Sequence, residues 1–131
     1  MKRYQFDKLI RSKIPSRMKD EGVFVYSNSL SAQDYLNALK KKIIEEAQEV
    51  HDANSKEDLI TELADVIEVI HAIAQANQIN LDEIEAARAK KRDINGHFLP
   101  ENFIHYIEVA EDNYKVIEYL ENKNRHYKLQ E

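Results

Sequence analysis

Two long apolar repeats at helical spacing, separated by only a few residues, constrain this chain more than any other feature. Leu36, Leu39, Ile43, Ala47 and Val50 recur every three or four positions between Ser31 and about Ala53, which places them on one stripe of an α-helix. Leu59, Leu63, Val66, Ile67, Ile70, Ile73 and Ala74 form a second and wider stripe between Ser55 and about Asn77. Each run starts with a capping-box-like pair, Ser31 with Asp34 and Ser55 with Asp58, whose hydroxyls suit the unpaired N–H groups of a helix start. So short a connection makes neighbouring helices antiparallel, and a helical hairpin is expected.

Shorter elements flank the hairpin. Ser12 to Gly22 reads as a helix with Pro15 in its first turn and Gly22 at its C-terminal end. Val23 to Tyr26 is a brief extended piece, and Asn80 with Glu83 starts a third helix through Ile84 and Ala87 to about Arg92. Beyond Gly96 the periodicity weakens. Phe103 to Val109 and Tyr114 to Leu120, joined around Asp112-Asn113, read as a β-hairpin of β-branched and aromatic residues. A helical alternative stays open there, with Pro100 as a start and Ile107, Tyr114 and Ile117 on one stripe. The polar tail from Asn122 to Glu131 is expected to fray.

Composition narrows the function. At 131 residues, 43% hydrophobic and 33% charged, with two glycines and two prolines, the chain is expected to form one mainly α domain over residues 1–131. Gly22 and Gly96 stand too far apart for a phosphate-cradling glycine loop. The absence of cysteine excludes a thiol nucleophile and a zinc-thiolate cluster, and suits a reducing compartment. No apolar run approaches the roughly 20 residues of a membrane span, so a cytoplasmic protein with neither a membrane nor a nucleic-acid polymer as partner is expected.

The net charge of −5 conceals a sorting of signs along the chain. Residues 1–19 carry seven Lys or Arg against Asp7 alone, whereas residues 45–68 carry nine acids against Lys56 alone. Advancing each helix by about 100° per residue shows where those acids point. Glu62 falls between Val69 and Ile73 inside the buried arc, Asp65 lies about 60° away on its edge, and Glu68 turns outward. In the first helix Glu46 projects beside Leu39, Glu49 lies about 60° beyond it, and Glu45 turns outward. Each helix offers one inward acid and one flanking acid. An inward carboxylate costs several kcal/mol unless it is paired, and bases are scarce in this stretch. Four convergent carboxylates, Glu46, Glu49, Glu62 and Asp65, therefore favour a hard divalent cation, Mg²⁺ with Mn²⁺ as the alternative, over zinc.

Glu46-x-x-Glu49, twelve residues, then Glu62-x-x-Asp65 resembles the paired motif of the all-α NTP pyrophosphohydrolases, the MazG-like and phosphoribosyl-ATP pyrophosphohydrolase-like proteins. Asp7-Lys8-Leu9-Ile10-Arg11-Ser12-Lys13-Ile14-Pro15 is similar to the N-terminal signature of one branch, and Glu62-Leu63-Ala64-Asp65-Val66-Ile67-Glu68-Val69 to its second metal helix. The resemblance covers about residues 4–109 and leaves 110–131 as an extension. Where that branch has a Lys-Arg-Gly-Gly-Phe-like turn, this chain has Lys91-Arg92-Asp93-Ile94-Asn95-Gly96-His97-Phe98, one glycine short.

The resemblance implies hydrolysis of a (d)NTP or related nucleotide between the α- and β-phosphates, giving a monophosphate and pyrophosphate. Mg²⁺ on the four acids would bind phosphate oxygens and acidify a water, with Glu46 or Glu49 as general base. Lys8, Arg11, Lys13, Arg88, Lys91 and Arg92 are the candidate phosphate ligands. Phosphoribosyl-ATP, the histidine-biosynthetic substrate, fits the same chemistry. Two other classes stand beside these: a non-enzymatic helical interaction module, and a di-iron oxidoreductase suggested by Glu68-x-x-His71, an element such sites need twice and this chain has once. A homodimer or higher oligomer is expected, because the hairpin cannot cover its own stripe and a partner would complete a four-helix bundle.

Overall fold

Local chemistry decides where each helix starts and stops. The computed structural model describes residues 1–122 and 127–129, and among them the regular structure is helical: α1 (Ile14–Asp20), α2 (Ala32–Asp52), α3 (Lys56–Ala76), α4 (Leu81–Asn95) and α5 (Tyr114–Glu121). Ser31 Oγ accepts from the Asp34 N–H and Ser55 Oγ from the Asp58 N–H, each at 3.1 Å. The start of α4 is reciprocal: the Asn80 N–H donates to Glu83 Oε2 while Asn80 Oδ1 accepts from the Asp82 N–H, both at 2.9 Å.

Two helices end in the same hydrogen-bond pattern with different residues at its left-handed position. After α1, Gly22 (φ +80°) donates to the Lys19 carbonyl at 3.0 Å and Val23 to the Met18 carbonyl at 2.9 Å, a Schellman motif. After α3, Gln78 (φ +56°) donates to the Gln75 carbonyl at 3.2 Å and Ile79 to the Ala74 carbonyl at 2.9 Å. Gln78 therefore carries the Cβ strain that Gly22 avoids. The fourth helix runs on to Asn95, past the expected end near Arg92, and stops before Gly96 at φ +79°.

The backbone divides into two compact units, residues 1–94 and 95–131. In the first, α2 and α3 are joined by Ala53-Asn54-Ser55 and pack along each other as the expected antiparallel hairpin. Leu39 of α2 with Val69 and Ala74 of α3 are its buried apolar residues. Val66, Ile70 and Ile73 are half-buried beside them. About 100° around α3, however, Ile60, Leu63 and Ile67 are exposed, Ile67 to 54%. The stripe of α3 thus splits into a face turned to α2 and an apolar face turned to solvent. No helix among the described residues is long and apolar enough to cross a membrane.

The expected β-hairpin in the second unit does not form. Among the described residues there is no strand: 101–109 has no regular structure, and Tyr114 to Glu121 is α5. Asn113 Oδ1 accepts from the Val116 N–H at 3.4 Å and caps that helix. Val116, Ile117 and Leu120 then share its half-buried side. A lone two-stranded ribbon has little independent stability, whereas a capped helix satisfies its backbone internally, so helix wins over β propensity. The helical alternative holds for Tyr114 and Ile117 but not for Ile107, and Pro100 starts no helix. Val23 to Tyr26, expected as an extended piece, has no regular structure. The polar tail expected to fray lies largely outside the described residues.

The two left-handed positions respond oppositely to substitution. Gly22→Ala is expected to lower stability by about 1 kcal/mol from backbone strain alone, since no atom lies within 4 Å of the added Cβ. Gln78→Gly is expected to raise stability by about 0.5 to 1 kcal/mol. Urea midpoints read both.

Candidate active site

Glu46 is the anchor of the site. It occupies the face of α2 that carries Leu39 and is only 8% exposed, an unusual depth for a carboxylate. Across the hairpin, α3 supplies Glu62 and, one turn on, Asp65. One carboxylate oxygen from each of Glu46, Glu62 and Asp65 lies within 4.8 Å of the others. Three of the four sequence-derived acids thus meet. Glu49 is not in that trio and is exposed, yet it stands close enough for its charge to act on Glu62.

The electrostatics of Glu62 register the crowding. Its carboxyl is pushed above the ordinary carboxylate range, first by loss of water, then by the charges of Asp65, Glu49, Glu46 and Asp58. No cation contacts Glu62 among the described residues. Three oxygen donors this close, one of them strained in its charged form, match the donor chemistry of a hard divalent cation. His71 and Glu68 are both exposed and stand outside the trio, the one group of three or more such ligands among the described residues.

Basic side chains reach the trio from two directions. Arg11, on the irregular N-terminal segment, bonds Asp65 Oδ1 through Nη2 at 2.5 Å, and Lys8 reaches Glu45 Oε1 at 3.5 Å. That segment straddles the hairpin, one base on each helix. Lys42, absent from the sequence-derived candidates, lies closer in: its Nζ is 3.0 Å from Glu45 Oε1 and 3.2 Å from Glu46 Oε1. Its spacing of three and four residues from those acids was a signal for both contacts. Burial disfavours the Lys42 charge, but hydrogen bonds to Glu45 and Glu46 outweigh it and raise its pKa. Burial disfavours the Glu45 charge, but the hydrogen bonds and charges of Lys42 and Lys8 together outweigh it and lower its pKa.

The remaining bases are not brought to the acids. Lys13 is the N-cap residue of α1 and makes no ion pair among the described residues. Arg88 is held by Glu85 of its own helix, at 2.5 and 2.8 Å, and that bond raises the Arg88 pKa and lowers that of Glu85. Lys91 and Arg92, farther along α4, are exposed without ion pairs among the described residues.

The site is an acid-lined helical hairpin with a basic segment laid over it. Residues 4–92 match the family model described as phosphoribosyl-ATP pyrophosphohydrolase, and the chain belongs to that family, within the all-α NTP pyrophosphohydrolase, MazG-like, superfamily. Its family activity is hydrolysis of a phosphoanhydride. No curated protein and no solved structure matches the chain.

The raised pKa of Glu62 fixes a pH dependence. Because its folded pKa lies above its unfolded one, near 4.5, ionised Glu62 opposes folding at neutral pH, and that cost disappears as pH falls below the unfolded value. Glu62→Gln without metal is expected to raise the thermal midpoint at about pH 7 and to leave it unchanged at about pH 3.5. A gain persisting in acid would assign the effect to packing.

Proposed function

We propose that this chain hydrolyses a nucleotide between its α- and β-phosphates, releasing a monophosphate and pyrophosphate, at a Mg²⁺ site formed by Glu46, Glu62 and Asp65 with Glu49 at the rim. The convergence of three carboxylates from two helices within 4.8 Å carries the reading. Mg²⁺, with Mn²⁺ as the alternative, supplies charge neutralisation for phosphate oxygens and lowers the pKa of a bound water. Glu49, exposed and one turn from Glu46, is the carboxylate best placed to take a proton from a water at the rim; Glu46, bonded to Lys42, is the less available base.

Arg11 can exchange its carboxylate partner for a phosphate oxygen, with Lys8 beside it. Lys13, Arg88, Lys91 and Arg92 complete phosphate binding in this proposal, from the same or a partner copy. The exposed face of Ile60, Leu63 and Ile67 supports assembly as a homodimer or higher oligomer that closes a four-helix bundle. A (d)NTP is the main substrate assignment. Phosphoribosyl-ATP is the second, and the family description favours it equally. A cytoplasmic setting, suggested by the lack of cysteine, completes the reading.

Incubation with each common NTP, dNTP and phosphoribosyl-ATP plus Mg²⁺ is expected to yield pyrophosphate from at least one of them, with turnover lowered by about a hundredfold or more in Glu62→Gln, since even outer-shell changes at metal sites cost up to about that much. No pyrophosphate from any, or wild-type turnover in that variant, would overturn the assignment. Sedimentation of the same sample tests assembly: a monomer at all concentrations would remove the bundle.

A further inference from the structure

Two cations already sit in the acidic cleft. Lys42 Nζ holds Glu46 Oε1 at 3.2 Å with its side chain only 20% exposed, and Arg11 Nη2 holds Asp65 Oδ1 at 2.5 Å. Each therefore engages one oxygen of a carboxylate in the trio while the second oxygen of Glu46 and of Asp65 stays outside these bonds. Lys42 is built on the same helix as Glu46, four residues earlier, so helix geometry keeps it there. Arg11 is held only by a segment without regular structure.

The charges count accordingly. Glu46, Glu49, Glu62 and Asp65 bring four negative charges, and Lys42 and Arg11 return two, leaving the charge that one divalent cation neutralises. Glu45 is set apart from this balance by its second base, Lys8, at 3.5 Å. We infer that Lys42 and Arg11 are the built-in counter-cations of the cleft, and that they restrict the free chain to one divalent cation where four bare carboxylates would admit two. Lys42 is thus a positioning residue: it fixes the Glu46 carboxylate and sets how strongly the cluster draws a metal. The inference rests on the metal-site reading above and deepens it.

Titration of the full chain with Mn²⁺ in the absence of nucleotide, following free Mn²⁺ by electron paramagnetic resonance, tests it. Wild type is expected to bind one ion per chain. Lys42→Met is expected to bind the first ion about thirtyfold more tightly, the worth of a unit charge acting on a doubly charged ion about 4 Å away in water, and to admit a second; Lys42→Arg should keep wild-type behaviour. Arg11→Met should shift the same way and carries the test if Lys42→Met does not fold, as judged by circular dichroism. Two ions in wild type, or unchanged or weaker binding in the folded methionine variants, would overturn the counter-cation role while leaving the metal site standing. No Mn²⁺ bound by wild type would overturn both.

Discussion

Mutual repulsion among carboxylates on two facing helices is the constraint around which the rest of this molecule is arranged. Packing of Leu39 against the α3 face that carries Val69 holds α2 and α3 side by side, and the helical repeat then forces Glu46, Glu62 and Asp65 into one small volume. Nothing about their own interaction favours that meeting, as the raised pKa of Glu62 shows. Apolar burial and capping provide the opposing free energy, so the hairpin works as a frame that keeps like charges together. Such a frame is useful where a cation is to be captured.

The basic N-terminal segment answers the same constraint from outside. Two of its seven bases meet the acids of residues 45–68 in space, Arg11 on α3 and Lys8 on α2. These are exposed pairs, each worth about 1 kcal/mol or less. Weak pairing suits the exchange of a carboxylate for a phosphate that we propose for Arg11. Lys42, shielded and tied to α2, has no such freedom.

Much of this was legible in the residues. Caps at Ser31, Ser55 and Asn80 are local events involving neighbours three positions apart, and angular position on a helix follows from counting, which is why the sequence itself brings Glu46, Glu62 and Asp65 to one side of their helices. Glu49 shows where counting stops: a rotation of about 60° carries it to a rim whose occupancy depends on packing. Lys42 was overlooked although its spacing pointed at both acids, because a lysine on an amphipathic helix ordinarily faces water. Arg88, Lys91 and Arg92 lie on a helix that was foreseen, but tertiary placement decides what they touch, and Arg88 touches Glu85. Residues 114–121 misled through β-branched and aromatic composition, while the telling signal was the single cap at Asn113.

The family match ends at residue 92, close to the division of the chain after residue 94, so the matched stretch spans the hairpin and its basic segment. The most direct test of a metal-capturing frame is anomalous diffraction from crystals soaked in Mn²⁺. A peak bounded by the carboxylates of Glu46, Glu62 and Asp65 is the result this account predicts. Ordered Mn²⁺ elsewhere in the crystal with none among those three side chains would contradict it.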